Sequence, residues 1–230
     1  MKALVVTLVV LLGLALVADR VAVGVAEDRV AEAIADRGGL AGTPEVSIGG
    51  FPFLTQAVAG DYDDVRIRLT ADDLDQPAGT TGDVRLRGVH VPLSDVLGGS
   101  VEQIPVDRID GEVTLSYELL SRELGTDTTL TREGDGLRLT KTVHVLGVDV
   151  PLTAVGTVAL DGQDLVIDVD QAGAAGVDLP DRLVRAASDS LDLRYPLDLP
   201  FGLQLSGVTP EDDGVHVTGG ATDTVLSSSG

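Results

Sequence analysis

Sixteen successive residues, Ala3 to Ala18 (ALVVTLVVLLGLALVA), carry one hydroxyl group and no charge. Lys2 precedes the run, and Asp19 and Arg20 close it. A bilayer core takes about 20 apolar helical residues, with about 17 as the lower limit. The run is slightly short for that, which leaves a cleaved secretory signal open. The cleavage chemistry is poor, however. Leu16-Val17-Ala18 has a large residue where a small one is wanted, and Ala22-Val23-Gly24 lies beyond two charges. The run therefore reads as an uncleaved N-terminal membrane anchor before a cleaved signal. Both outrank a buried core helix, because the run has no polar face. The positive-inside rule leans toward an outside domain, so the expected place is extracytoplasmic, in the cell envelope. The expected organisation is residues 1–19 as signal or anchor, 20–218 as one domain and 219–230 as a disordered tail.

Hydrophobic residues make up 43% of the chain but aromatics only 3%, so the core must be aliphatic. Abundant Val and Gly in short alternating runs argues for β-sheet. A net charge of −21 removes nucleic acid as a partner, since a phosphate backbone demands a basic footprint. It also argues against broad electrostatic adhesion to anionic lipid. The absence of cysteine removes disulfides, thiolate metal sites, Cys nucleophiles and a Cys-attached lipid.

From Arg20 to Arg37, Val23, Ala26, Val30, Ala33 and Ile34 recur at spacings of three and four, with Glu27, Asp28, Glu32 and Asp36 opposite. This is an amphipathic helix, open to continuity with the leader and ended by Gly38-Gly39. It reads first as an ordinary packed helix and second as the cover of a lipid cavity. Val46 and Ile48 mark a short strand. Phe51 and Phe53 then sit in a Gly/Pro frame, as a core plug or as an apolar lip at a pocket mouth. Strands alternate through Val65-Ile67-Leu69 and Val84-Leu86, and Gly88 shifts the parity. Val91 to Leu97 reads as a helical turn, 111–117 as a strand and 117–124 as a helix. Hairpins follow at 133–136 and 161–162, then a helix over 179–190 and a turn at 212–214. The expected fold is α+β: an N-terminal helix with a large, twisted, mostly antiparallel meandering sheet and an apolar groove or cavity.

Chemistry is hard to find. His90, His144 and His216 each lie between valines on strands, with no metal-type spacing among them. No nucleophile elbow, P-loop or dinucleotide fingerprint occurs. No catalytic residue, metal site or cofactor is assigned, and the chain reads as non-enzymatic. One local feature opposes the global charge. Arg66, Arg68, Arg85 and Arg87 share the polar parity of successive strands. They form either cross-strand pairs with Asp64, Asp83 and other acids or a patch suited to bidentate phosphate contact.

The leader, Ala26-Glu27-Asp28-Arg29-Val30-Ala31, Ser47-Ile48-Gly49-Gly50-Phe51-Pro52-Phe53-Leu54, Val91-Pro92-Leu93-Ser94-Asp95-Val96-Leu97 and Leu199-Pro200-Phe201-Gly202-Leu203 together resemble the LmeA-like phospholipid-binding family of actinobacterial cell-envelope proteins. The resemblance covers nearly the whole chain. It implies a non-enzymatic protein that binds phospholipid, phosphoinositide included, supports mannolipid assembly and has a tubular lipid-binding type of fold. The residues themselves, read with a lipid in view, make Phe51, Phe53, Leu54, Phe201 and Leu203 the candidate apolar opening and the four arginines the candidate site of a headgroup phosphate. The competing account is a membrane-anchored adaptor with a solid core that binds another envelope protein. The oligomeric state is not set by the sequence.

Overall fold

The computed structural model describes residues 2–92, 103–125, 128–145, 148–174, 177–178, 193–196 and 203–227. Of the helical turn expected over Val91 to Leu97, Val91 and Pro92 are described and are not helical; its remainder and the helix expected over 179–190 lie outside the described residues. The leader and the amphipathic segment form one unbroken helix, α1 (Lys2–Gly38), of 37 residues. Its length is about 55 Å at 1.5 Å per residue. The glycine pair stops it as expected, and the Leu40 N–H donates back to the Ala35 carbonyl at 3.0 Å. Every side chain from Lys2 to Ala18 is exposed, and burial begins at Asp19.

After α1 come β1 (Glu45–Gly49), α2 (Phe53–Ala59), β2 (Asp61–Leu69), β3 (Thr81–His90), β4 (Gln103–Ser116) and α3 (Tyr117–Glu123). Then follow β5 (Thr128–Glu133), β6 (Gly136–Val145), β7 (Val148–Asp161), β8 (Asp164–Ala174), β9 (Val177–Asp178), β10 (Leu193–Pro196), β11 (Gln204–Pro210) and β12 (Gly214–Ser227). The fold is α+β, and its described strands divide between two sheets. One has the order β1-β2-β3-β4-β12-β11, the other β10-β8-β7-β6-β5 with β9 beside β8. The hairpins expected from their turns are antiparallel: Glu133 opposes Gly136, and Asp161 opposes Asp164. Residues 219–227, expected to be part of a disordered tail, instead continue β12, with Gly219 and Gly220 paired to Leu205 and Gln204. Strand pairing supplies the backbone partners that a Gly/Thr-rich sequence does not advertise.

The chain clusters into two compact units: Met1–Leu69 with Asp83–Asp110 and Ala221–Gly230, and Thr70–Gly82 with Gly111–Gly220. In the first, Val23 and Ala31 of α1, Val46, Phe53, Leu86, Val89, Val106 and Ile109 are buried. Leu86 and Val89 are buried three apart, so the parity does change at Gly88. That residue has φ +60°, which favours glycine, and a side chain there would meet the Asp107 carboxylate. The inward stripe of α1 is Asp19, Val23, the half-buried Glu27 and Ala31, whereas Val30 is exposed. Ala26, Ala33 and Ile34 of the expected stripe are half-buried, so Val30 alone departs from it, and Glu27, expected on the opposite side, turns inward to a polar partner. Strand β1 is a sheet edge, and the Ile48 N–H donates to Glu27 Oε1 at 2.7 Å. A carboxylate on the inner face covers an edge that would otherwise lack an acceptor.

In the second unit, Leu130, Leu137, Leu139, Ala154, Val215 and Val217 form the core, with Leu115, Leu120, Leu205 and Val208 packed against it. It is aliphatic, as the composition requires. Helix α3 starts where Ser116 Oγ accepts the Leu119 N–H at 3.2 Å.

Candidate functional site

The site is built where the apolar run of α1 ends. Helix α2 follows Pro52, which offers no side-chain cap for its first turn. The cap comes instead from α1: Asp19 Oδ1 accepts the Leu54 N–H at 2.9 Å. Asp19 is 2% exposed, and its Oδ2 has no hydrogen-bond partner, only the Arg20 guanidinium at 3.6 Å. Arg20 also lies over the Phe51 ring, 5.0 Å from its centroid. Gln56 secures the other side of the turn. Its amide donates to the Gly49 carbonyl at 3.1 Å, and its Oε1 accepts the Asp63 N–H at 3.0 Å. Gly50, with φ +92°, leaves the space that the Gln56 amide occupies.

This framework divides the two phenylalanines. Phe53 is 6% exposed and packs on Tyr62, ring centroids 6.2 Å apart. Phe51 is 57% exposed. Phe53 is therefore placed as a core plug, and Phe51 stands open. Leu54 and Val58, one helical turn apart on α2, are exposed too. Phe201 lies outside the described residues, and Leu203 belongs to the second unit, where its carbonyl accepts from Gln163 at 3.0 Å.

The four arginines come together on β2 and β3 of the first unit, each held by acids. Arg68 donates to Glu45 at 3.0 Å and to Asp83 at 3.2 Å. Arg66 and Arg85 share Asp64, each 3.2 Å from its Oδ2. Arg87 and Arg108 share Asp110, at 2.8 and 2.9 Å. His90 bridges Asp61 and Asp107 at 2.8 and 3.2 Å. The result is a ladder of charge across β1 to β4. Asp64 and Asp110 each gather two arginines, while Glu45, Asp83, Asp61 and Asp107 supply further acids along the ladder. The Arg85 hydrogen bond outweighs burial and, with Arg66, holds the Asp64 carboxyl below its ordinary pKa. Asp64 is paired with Gly49, so its cluster stands at the end of the sheet that leads into the Phe51 turn.

In the second unit, Glu211, Asp213 and His216 place potential ligand atoms within 4.8 Å of one another. Both ring nitrogens of His216 are taken, by Glu112 at 3.0 Å and Asp213 at 2.9 Å. Two carboxylate partners favour the protonated ring, the form in which both nitrogens donate. Burial pulls the His216 pKa down, but the bonds to Asp213 and Glu112 overcome it and hold it above the ordinary value.

Sequence reasoning missed Asp19, Gln56 and Val58. Asp19 read as a punctuation mark after the apolar run, although a lone acid four residues before the first buried valine of α1 was a signal. Gln56 was the one amide in a short apolar helix.

The apolar half of α1 is long and apolar enough to cross a membrane, and exposed apolar side chains of the Phe51 turn and α2 stand beside its end. A family model described as LmeA-like phospholipid-binding matches residues 17–220, across both units, and the chain belongs to that family. The family is one of lipid binding, not a known enzyme family. Neither the curated proteins nor the solved structures include a match.

Proposed function

We propose that this protein is a membrane-tethered phospholipid-binding protein of the cell envelope. Helix α1 serves as the anchor, acyl chains lie against apolar surface, and the headgroup phosphate meets the arginines of the charge ladder. The family match carries the lipid-binding reading. The exposed apolar half of α1 supports the anchor. It is long and apolar enough to cross a bilayer. The spare donors of the arginines at Asp64 and Asp110 support the headgroup role, since each guanidinium carries five donors and spends only one or two on its acid. An outward-facing domain and support of mannolipid assembly complete the proposal.

The test is retention of a fluorescent phospholipid by the full chain in detergent micelles. Saturable retention at a fixed ratio of lipid to protein is expected. Retention no greater than that of empty micelles would remove the lipid-binding proposal and favour the anchored adaptor.

A further inference from the structure

We infer that Phe51, Leu54 and Val58 form a second membrane contact, seated in the interfacial layer of the leaflet at the point where α1 leaves it. The inference rests on the anchor reading of α1 and goes beyond it, because it fixes which face of the first unit meets the bilayer. Three observations carry it.

The first is connection without slack. The apolar run ends at Ala18, and the next residue, Asp19, bonds the Leu54 N–H at 2.9 Å. Helix α1 continues unbroken through this point to Gly38. No linker separates the anchor from α2, so an anchored α1 sets the first turn of α2 at the depth where the hydrocarbon ends.

The second is composition of the exposed surface. Outside α1, the large hydrophobic side chains exposed among the described residues are Phe51, Leu54, Val58, Val113 and Val225. Three of these five fall within eight residues beside the anchor, and Val58 is 75% exposed. Scattered single residues need no explanation, but a cluster does.

The third is Arg20. Its guanidinium lies 5.0 Å from the Phe51 ring centroid. A cation with an apolar stem beside an aromatic ring is the arrangement that suits the headgroup layer, where one end is apolar and the other wet. A water-facing patch would leave the ring without that use.

Single-cysteine labelling tests this directly, because the chain has no native cysteine. Leu11→Cys and Val58→Cys are made in the full chain, labelled with an environment-sensitive fluorophore and reconstituted in phosphatidylcholine–phosphatidylglycerol vesicles. Nitroxide-bearing lipids quench from a shallow or a deep position, and iodide quenches from water. The expected result is deep quenching at position 11, with shallow quenching and loss of iodide access at position 58. Deep quenching at 11 with full iodide access at 58 overturns the second contact and leaves the anchor standing. Position 58 shielded from both quenchers overturns it in favour of a protein partner or second copy. No lipid quenching at 11 removes the anchor and the contact together.

Discussion

The carboxylate of Asp19, on a helix that begins at Lys2, accepts the backbone N–H of Leu54 at 2.9 Å. Thirty-five residues of chain separate the two, yet one supplies the cap that the other's helix lacks. Replacing such a cap by alanine costs about 1 kcal/mol. Asp19→Ala is expected to raise hydrogen exchange at the Leu54 amide about fivefold, and Asp19→Asn, which keeps Oδ1, much less. Equal exchange in wild type and the alanine variant would show that the cap is incidental.

Gln56 is buried and satisfies a carbonyl and an N–H of the turn that carries Phe51. Gln56→Leu keeps the bulk and strands both groups, at about 1–3 kcal/mol each. The first unit should lose roughly 2 kcal/mol or more in denaturant unfolding, with protease cleavage appearing near Gly49-Gly50. A stability within error of wild type would mean that water replaces the amide.

If the arginines at Asp64 hold a phosphate, Arg66→Gln with Arg85→Gln should weaken retention of a phospholipid about tenfold, the worth of one charge-assisted hydrogen bond. Diacylglycerol, which has the same chains and no phosphate, should be retained as before. A parallel loss for both lipids would assign these residues to the sheet alone.

His216 has a pKa above its ordinary value and two acid partners. A raised histidine stabilises the folded state fully below the unfolded pKa of about 6.5, and that contribution is lost as pH rises through the folded value. Asp213, lowered chiefly by the His216 hydrogen bond, adds stability that disappears only in acid, as pH falls through its depressed value. The second unit should therefore be less stable at pH 9 than at pH 6, and His216→Gln should flatten that slope. An NMR titration placing the ring at or below its ordinary pKa would contradict the two-carboxylate geometry.

Leu137 is 2% exposed in the aliphatic core of the second unit. Leu137→Ala should cost about 2–5 kcal/mol, whereas Val58→Ala on the open lip should change stability by no more than about 0.5 kcal/mol. Thermal unfolding of the two variants side by side separates core from contact surface.

Much of the fold was legible because its signals are local. The leader, the amphipathic run after Arg20, the glycine stop, the alternating β2 and β3, the parity shift at Gly88 and the two hairpin turns all depend on residues a few positions apart. The inward place of Glu27 on α1 was not legible. Hydropathy assigned Glu27 to the outer face, but the unpaired Ile48 N–H of an edge strand draws it inward. The extension of β12 past Gly220 was hidden because glycine and serine are poor strand formers, and only pairing within the folded sheet places them in one. For the site, the Gly-Gly-Phe-Pro-Phe-Leu stretch drew attention by composition, but spacing could not say which phenylalanine is buried.

The sequence by itself determined the apolar rod, the aliphatic β-rich character, the absence of any cysteine chemistry and the family. All of these follow from the order and kind of side chains along one dimension. Tertiary structure decided how polar groups far apart in the chain satisfy one another. Asp19 caps Leu54, Glu27 covers Ile48, Gln56 ties Gly49 to Asp63, and Asp64 and Asp110 each gather two arginines. A buried or half-buried polar group takes whatever partner the folded backbone brings within about 3 Å, and no local pattern records which partner that is.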